Sequence, residues 1–151
     1  MMLMVKYGYS AKVEGPAAMA YGKERRISSK QAMEVCRAIR GMRLNVAKDY
    51  LEAVQLKEAY VPILRHRKKV AHRGAKGAGQ YPVKAAREIL KVLKNAEANA
   101  TYKGLEVEKL RVIHASAYKG ISVPGFFARA FGRTSPAIAP LTNIEIILKG
   151  G

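Results

Sequence analysis

Over residues 109–144 the chain has not one Asp or Glu, and the same holds for 59–87. These spans concentrate an imbalance of the whole chain, in which 28 Lys and Arg stand against 11 Asp and Glu for a net charge of +17. Like charge on that scale repels itself, so the fold must leave both spans facing an external polyanion. Nucleic acid, an anionic membrane surface and an acidic protein all qualify. The first span discriminates, because Arg65, Arg67, Lys68, Lys69, Arg73, Lys76, Lys84 and Arg87 are interleaved there with glycines, His66 and His72. That pattern predicts an irregular phosphate-contacting loop at about 62–80, and it lacks the apolar face of a membrane-surface helix.

The remaining composition is globular. Apolar residues make up 49%, which excludes a disordered basic tail, and 151 residues suit a single domain with one modest core. The lone Cys36 excludes an internal disulfide and, without Cys or His at ligand spacing, a structural zinc site. Neither a metal nor a cofactor is expected. The apolar start "MMLMV" is too short for a signal-peptide core, and no run approaches the roughly 20 apolar residues of a membrane span. A soluble, unprocessed, cytoplasmic protein is expected.

Residues 3–14 read as a short candidate strand followed by loop, and the first clear element starts at "ISSKQAMEVCRAIRG". Ser28 with Gln31 three residues on predicts a capping box, Ala32, Val35, Cys36 and Ile39 recur at helical spacing, and Gly41 supplies a left-handed stop. Cys36 reads as core. Asn45 is the expected cap of a second helix, whose stripe Val46, Ala47, Tyr50, Leu51 and Val54 runs to about residue 57. Pro82 and Gly104 bound a third helix, with Ala86, Ile89, Leu90, Leu93 and Ala96 inward and Lys84, Glu88, Lys91 and Lys94 outward.

Residues 106–118 and 141–148 alternate well enough to be two strands of one antiparallel sheet. The stretch between them fits neither period, and a structureless loop of that length is usually functional. Extended, the arms would project roughly 40–60 Å at about 3.4 Å per residue. Such an arm is unstable alone in water and needs a partner to hold it. All three phenylalanines, Phe126, Phe127 and Phe131, fall there beside Arg129 and Arg133. They can stack on unpaired bases, or fold back as a satellite cluster on the protein itself. Pro124, Pro136 and Pro140 with Gly120, Gly125 and Gly132 suit a ribbon threading a narrow channel.

Catalytic signals are thin. His66 and His72 have no carboxylate near them in sequence and His114 falls on a strand, so phosphate contacts or packing outweigh acid, base or metal roles. "GAKGAG" at 74–79 lacks the Gly-Lys-Ser/Thr ending and the preceding strand of a nucleotide loop. Three readings stand at this point: an RNA-organising structural protein, an autonomous nucleic-acid-binding regulator, and an RNA-directed enzyme using the histidines.

"RISSKQAMEVCRAIRGM" at 26–42, "YP.KAA" at 81–86, "ARAFGR" at 128–133 and "TNIEIIL" at 142–148 occur in an order that resembles the large-subunit ribosomal protein family numbered twenty-two in the bacterial scheme, in its archaeal and eukaryotic-type form. The resemblance spans about residues 10–149. It implies an α+β fold of three helices packed on a small three-stranded antiparallel sheet, with a long β-hairpin extension at about 110–148. It further implies a structural constituent of the large ribosomal subunit, without catalysis. Such a protein would bind ribosomal RNA near the peptide exit beside neighbouring ribosomal proteins, its hairpin tip lining the tunnel and meeting the nascent peptide, with no homo-oligomer. Arg26, Ser28 and Arg40 match the family's first basic segment, and Arg129, Gly132 and Arg133 its returning hairpin arm. With the charged positions Arg25, Lys30, Arg65, Arg67, Lys68, Lys69, Arg73, Lys76 and Lys119, these form the expected RNA-contacting set. Val123, Pro124, Gly125, Phe126 and Phe127 are the expected tip, where bacterial relatives often carry basic residues.

Overall fold

Small residues set the architecture. In a computed structural model that describes residues 8–74 and 77–150, "AAMAYGKER" forms strand β1 (Ala17–Arg25), a run poor in the β-branched residues that announce strands. Its Ala18 and Ala20 are buried, and a Cβ on Gly22 would come within 2.6 Å of the Val92 side chain, so the helix above can lie close to the strand. Of the short candidate strand and following loop expected at 3–14, residues 3–7 lie outside the described residues and residues 8–14 are loop.

Helix α1 (Ser29–Ile39) buries Ala32, Val35, Cys36 and Ile39 as periodicity predicts. Burial raises the Cys36 thiol to about 12, which leaves it inert. The capping box does not form: Ser28 occupies the cap position without a side-chain bond, and Gln31 instead reaches Gln80 at 3.5 Å. Gly41 closes the turn at φ 85 and donates to the Val112 carbonyl at 2.7 Å. Helix α2 (Leu44–Leu56) starts one residue before Asn45, with Arg43 at its cap. Leu44, Ala47, Leu51 and Val54 share its buried face, so Val46, a quarter-turn away, is 52% exposed rather than part of the stripe. Helix α3 (Val83–Tyr102) follows Pro82 and buries all five of the expected residues.

The main sheet is antiparallel in the order β1-β5-β4, with β4 (Leu110–Ala128) and β5 (Thr134–Gly150). A single 3-10 turn at Val107–Lys109 replaces the predicted start of β4. α3 lies along β1 and β5, α1 along β4, and α2 packs on α3. The core between them includes Val35, Ile39, Leu51, Ile89, Leu93, Ile144, Ile146 and Leu148. The chain is thus α+β with three helices, as expected. It carries in addition a two-stranded ladder of β2 (Val61–Pro62) and β3 (Gly79–Gln80), which pinches the base of the basic loop.

Replacing Gly22 by Ala forces a methyl into the β1–α3 contact. Overpacking of this kind costs about 1–3 kcal/mol. A urea titration of the variant should give an unfolding free energy lower by that amount, seen as a lowered midpoint with an unchanged slope.

Candidate nucleic-acid interface

Residues 119–140 are not structureless. The β4–β5 pairing runs on past the last β1 contact, shifts register between Lys119 and Ser122, and continues through Pro124↔Ile138 and Phe126↔Pro136 to Ala128↔Thr134. The prolines hid this from periodicity, yet they fit. Arg129 donates to the Arg133 carbonyl at 2.8 Å, making 129/133 a hydrogen-bonded rung, so 122/140, 124/138 and 126/136 are the alternate rungs whose N–H groups would point outward. Past Lys119 the arm reaches roughly 30 Å at about 3.3 Å per residue, less than the expected span.

The chain reverses at residues 129–133, where Phe131 and Gly132 both take positive φ, 55 and 65. This corrects two expectations: Val123–Phe127 lie on the outgoing arm below the turn, and Arg129, Gly132 and Arg133 make the turn itself. Arg129 also bonds the Ser135 hydroxyl at 3.1 Å. The phenylalanines do not fold back, since Phe126, Phe127 and Phe131 are 74%, 62% and 94% exposed. Ile121, Val123 and Ile138 are exposed with them, so the arm offers more apolar surface than charge.

The basic loop is anchored by one carboxylate. Buried Glu34 of α1 accepts from the Leu64 and Arg65 backbone N–H groups at 3.4 and 3.2 Å and pairs with Arg37 at 3.3 Å. This leaves Arg65, Arg67, Lys68 and Lys69 exposed beyond it. Arg73 lies over the Tyr81 ring at 4.7 Å, a cation–π contact that fixes its side chain. Lys76 lies outside the described residues.

At the root of the arm lies a groove of about 790 Å³. Arg26, Ser28, Lys30 and Gln31 from the start of α1, Lys84 from the first turn of α3, and Lys119 of β4 line one part of it. Val123, Ala139, Pro140 and Leu141 of the arm line another. Lys84, expected both within the acid-free basic span and on the outer surface of α3, reaches this groove because two helix starts converge, which sequence spacing does not carry.

Ion pairing sorts the cations. Lys23, Arg25, Arg37, Lys48, Lys91, Lys94 and Lys109 have carboxylate partners. Among the described residues, Arg26, Lys30, Arg65, Arg67, Lys68, Lys69, Arg73, Lys84, Lys119, Arg129 and Arg133 have none within 4.0 Å. Two members of the expected set have structural duties: Arg25 pairs with Glu88 at 3.5 Å, and Arg40 donates to the Ala115 carbonyl at 2.8 Å.

The histidines split likewise. His66 and His72 are exposed in the loop. His114 sits on the sheet face opposite the helices, its Nε2 2.8 Å from buried Glu145 and 2.9 Å from the Ser10 hydroxyl, which also bonds Glu145. A relay through the imidazole would use both ring nitrogens, whereas here both partners converge on one. The cluster fastens Ser10 against the sheet. Among the described residues no group of His, Cys, Asp and Glu could hold a metal, and no helix is long and apolar enough to cross a membrane.

Residues 20–149 match the family described as Ribosomal protein L22p/L17e. The chain is 48% identical over 149 residues to the large ribosomal subunit protein uL22 of Archaeoglobus fulgidus, covering 97% of this chain and 96% of that one. It is 52% identical over 136 residues to the uL22 of Methanopyrus kandleri, covering 87% and 86%. For the uL22 of Methanocaldococcus jannaschii the identity is 45% over 153 residues, covering 99% and 98%.

Glu34→Ala would strand two N–H groups of the loop and free Arg37. Loss of such buried acceptors costs about 1–3 kcal/mol. Amide exchange should accelerate selectively at Leu64 and Arg65, while the amides of β5 stay protected apart from the global loss.

Proposed function

The chain belongs to the ribosomal protein L22p/L17e family, and from that premise we propose that it organises large-subunit ribosomal RNA near the peptide exit, with its arm lining the tunnel. It is a structural constituent of the large ribosomal subunit rather than an enzyme, and its place is in the cytoplasmic ribosome. Ribosomal RNA and neighbouring ribosomal proteins are its partners.

The observation that carries the finer reading is the division between paired and unpaired cations. Unpaired cations are grouped on the basic loop, along the groove and at the turn of the arm, while others, such as Arg43, Lys57 and Arg111, stand elsewhere among the described residues. Carboxylates hold most of those on α2 and α3, including Lys48 with Glu97 and Lys94 with Glu52. A surface whose cations lack internal counterions binds RNA phosphates by displacing condensed ions, and its affinity should fall with salt at about −0.7 to −0.9 in log–log slope per phosphate neutralised. The exposed phenylalanines suit stacking on unpaired bases or contact with a passing peptide.

On this reading the chain is one RNA-binding unit. Arg26, Ser28, Lys30, the loop cations and Lys119 hold surface RNA, and Val123–Phe127 with residues 129–133 lie within the tunnel wall. Arg25 and Arg40 shape the protein beneath these contacts. A free regulator would be expected to finish its own surface, whereas this arm stands about 30 Å clear of the core.

Photoreactive side chains placed at Phe127 and Lys68 in purified large subunits test the arrangement. Phe127 should crosslink to RNA lining the tunnel and Lys68 to RNA at the subunit surface near its exit. Crosslinks from Phe127 to RNA far from the tunnel would overturn the tunnel reading.

A further inference from the structure

The groove at the root of the arm has chemistry that the arm and the loop lack. Four cations line it, Arg26, Lys30, Lys84 and Lys119, and no carboxylate does. None of the four has an ion-pair partner among the described residues. Arm residues supply a second, apolar lining of Val123, Ala139, Pro140 and Leu141. Ser28 caps no N–H of α1, neither α1 nor α3 has an acid in its first turn, and both helices start beside the groove. Positive helix ends thus reinforce the side-chain charge.

A small anion would use only the cationic part. A nucleic-acid strand has the same two-sidedness as the groove, phosphates along one edge and sugars and bases along the other. We propose that this groove seats a single RNA strand, phosphates toward Arg26, Lys30, Lys84 and Lys119 and sugars or bases against the arm, and that the seated strand sets the angle at which the arm leaves the sheet.

The second half of the inference comes from the register. The β4–β5 ladder is interrupted between Lys119 and Ser122, where the groove lies. A bulge bends and twists a strand, which makes this the arm's natural point of flexure. Cations on the body side and apolar residues on the arm side flank that point, so one occupant touching both fixes their relation. The inference rests on the RNA-binding reading above and adds to it a defined seat, including Lys84, and a mechanical role.

The test uses the full chain and isolated large-subunit ribosomal RNA. In a Lys84→Gln/Lys119→Gln double variant both replaced side chains are exposed and unpaired, so the fold is retained. Its binding should lose about 1.4–1.8 from the magnitude of the log–log salt slope, two phosphates' worth. Lys91→Gln/Lys94→Gln, on the paired face of α3, should leave the slope unchanged. A pair of spin labels, one at Ala128→Cys on the arm and one at Lys94→Cys on the body, reports the arm angle. The distance distribution should narrow when wild-type chain binds RNA and stay broad in the groove variant. An unchanged slope in the groove variant would overturn the seat, and narrowing in that variant would overturn the mechanical role. If the wild-type chain itself bound RNA without salt dependence, the RNA-binding reading would fail first.

Discussion

The pairing of β5 with β4 is the contact on which the rest depends. β5 is the central strand, with β1 on one side and β4 on the other, and Ile144, Ile146 and Leu148 present its inner face to the helices. Its outer face is occupied too, since Glu145 and Ile147 are buried on the side away from the helices. The same two strands then leave the core and become the arm. Support and projection are therefore one ladder, interrupted only by the register shift at the arm's root.

Around that ladder the protein divides its charge. Among the described residues seven ion pairs of Lys or Arg, and the contact of His114 with Glu145, use the few carboxylates where structure needs them. Glu34 holds the loop, Glu88 holds Arg25, and Glu145 fastens the segment that crosses the back of the sheet. The remaining cations have no carboxylate within 4.0 Å among the described residues. Their mutual repulsion is tolerable while counterions screen it, over about 10 Å at ordinary salt.

Much of this was legible in the chain. The three helices follow from apolar spacing and from Gly41, Pro82 and Gly104, and the acid-free spans hold the unpaired cations of the loop and arm, though not Arg26 and Lys30 of the groove. The misses have physical causes. β1 is built from Ala and Gly because α3 presses on it, so its composition reports close packing and conceals extended backbone. Ser28 looks like a capping residue, yet its hydroxyl makes no cap and the residue lines the groove. Ala47, Leu51 and Val54 suit a stripe flanked by either Val46 or Leu44, and packing against the core, which spacing does not carry, selects Leu44. Lys84 and the His114–Glu145 contact depend on tertiary convergence, for which local spacing has no signature.

The prolines of the arm have a further consequence. Both long edges of an isolated two-stranded ribbon normally expose rows of N–H and C=O groups, a template to which any extended chain can add as a third strand. Pro124, Pro136 and Pro140 stand on rungs whose N–H would face outward, and they interrupt the donor row on both edges. An extended polypeptide sliding past finds gaps where it would otherwise zip on. The arm can therefore stay ordered beside moving chains, and beside copies of itself before assembly, without seeding a sheet.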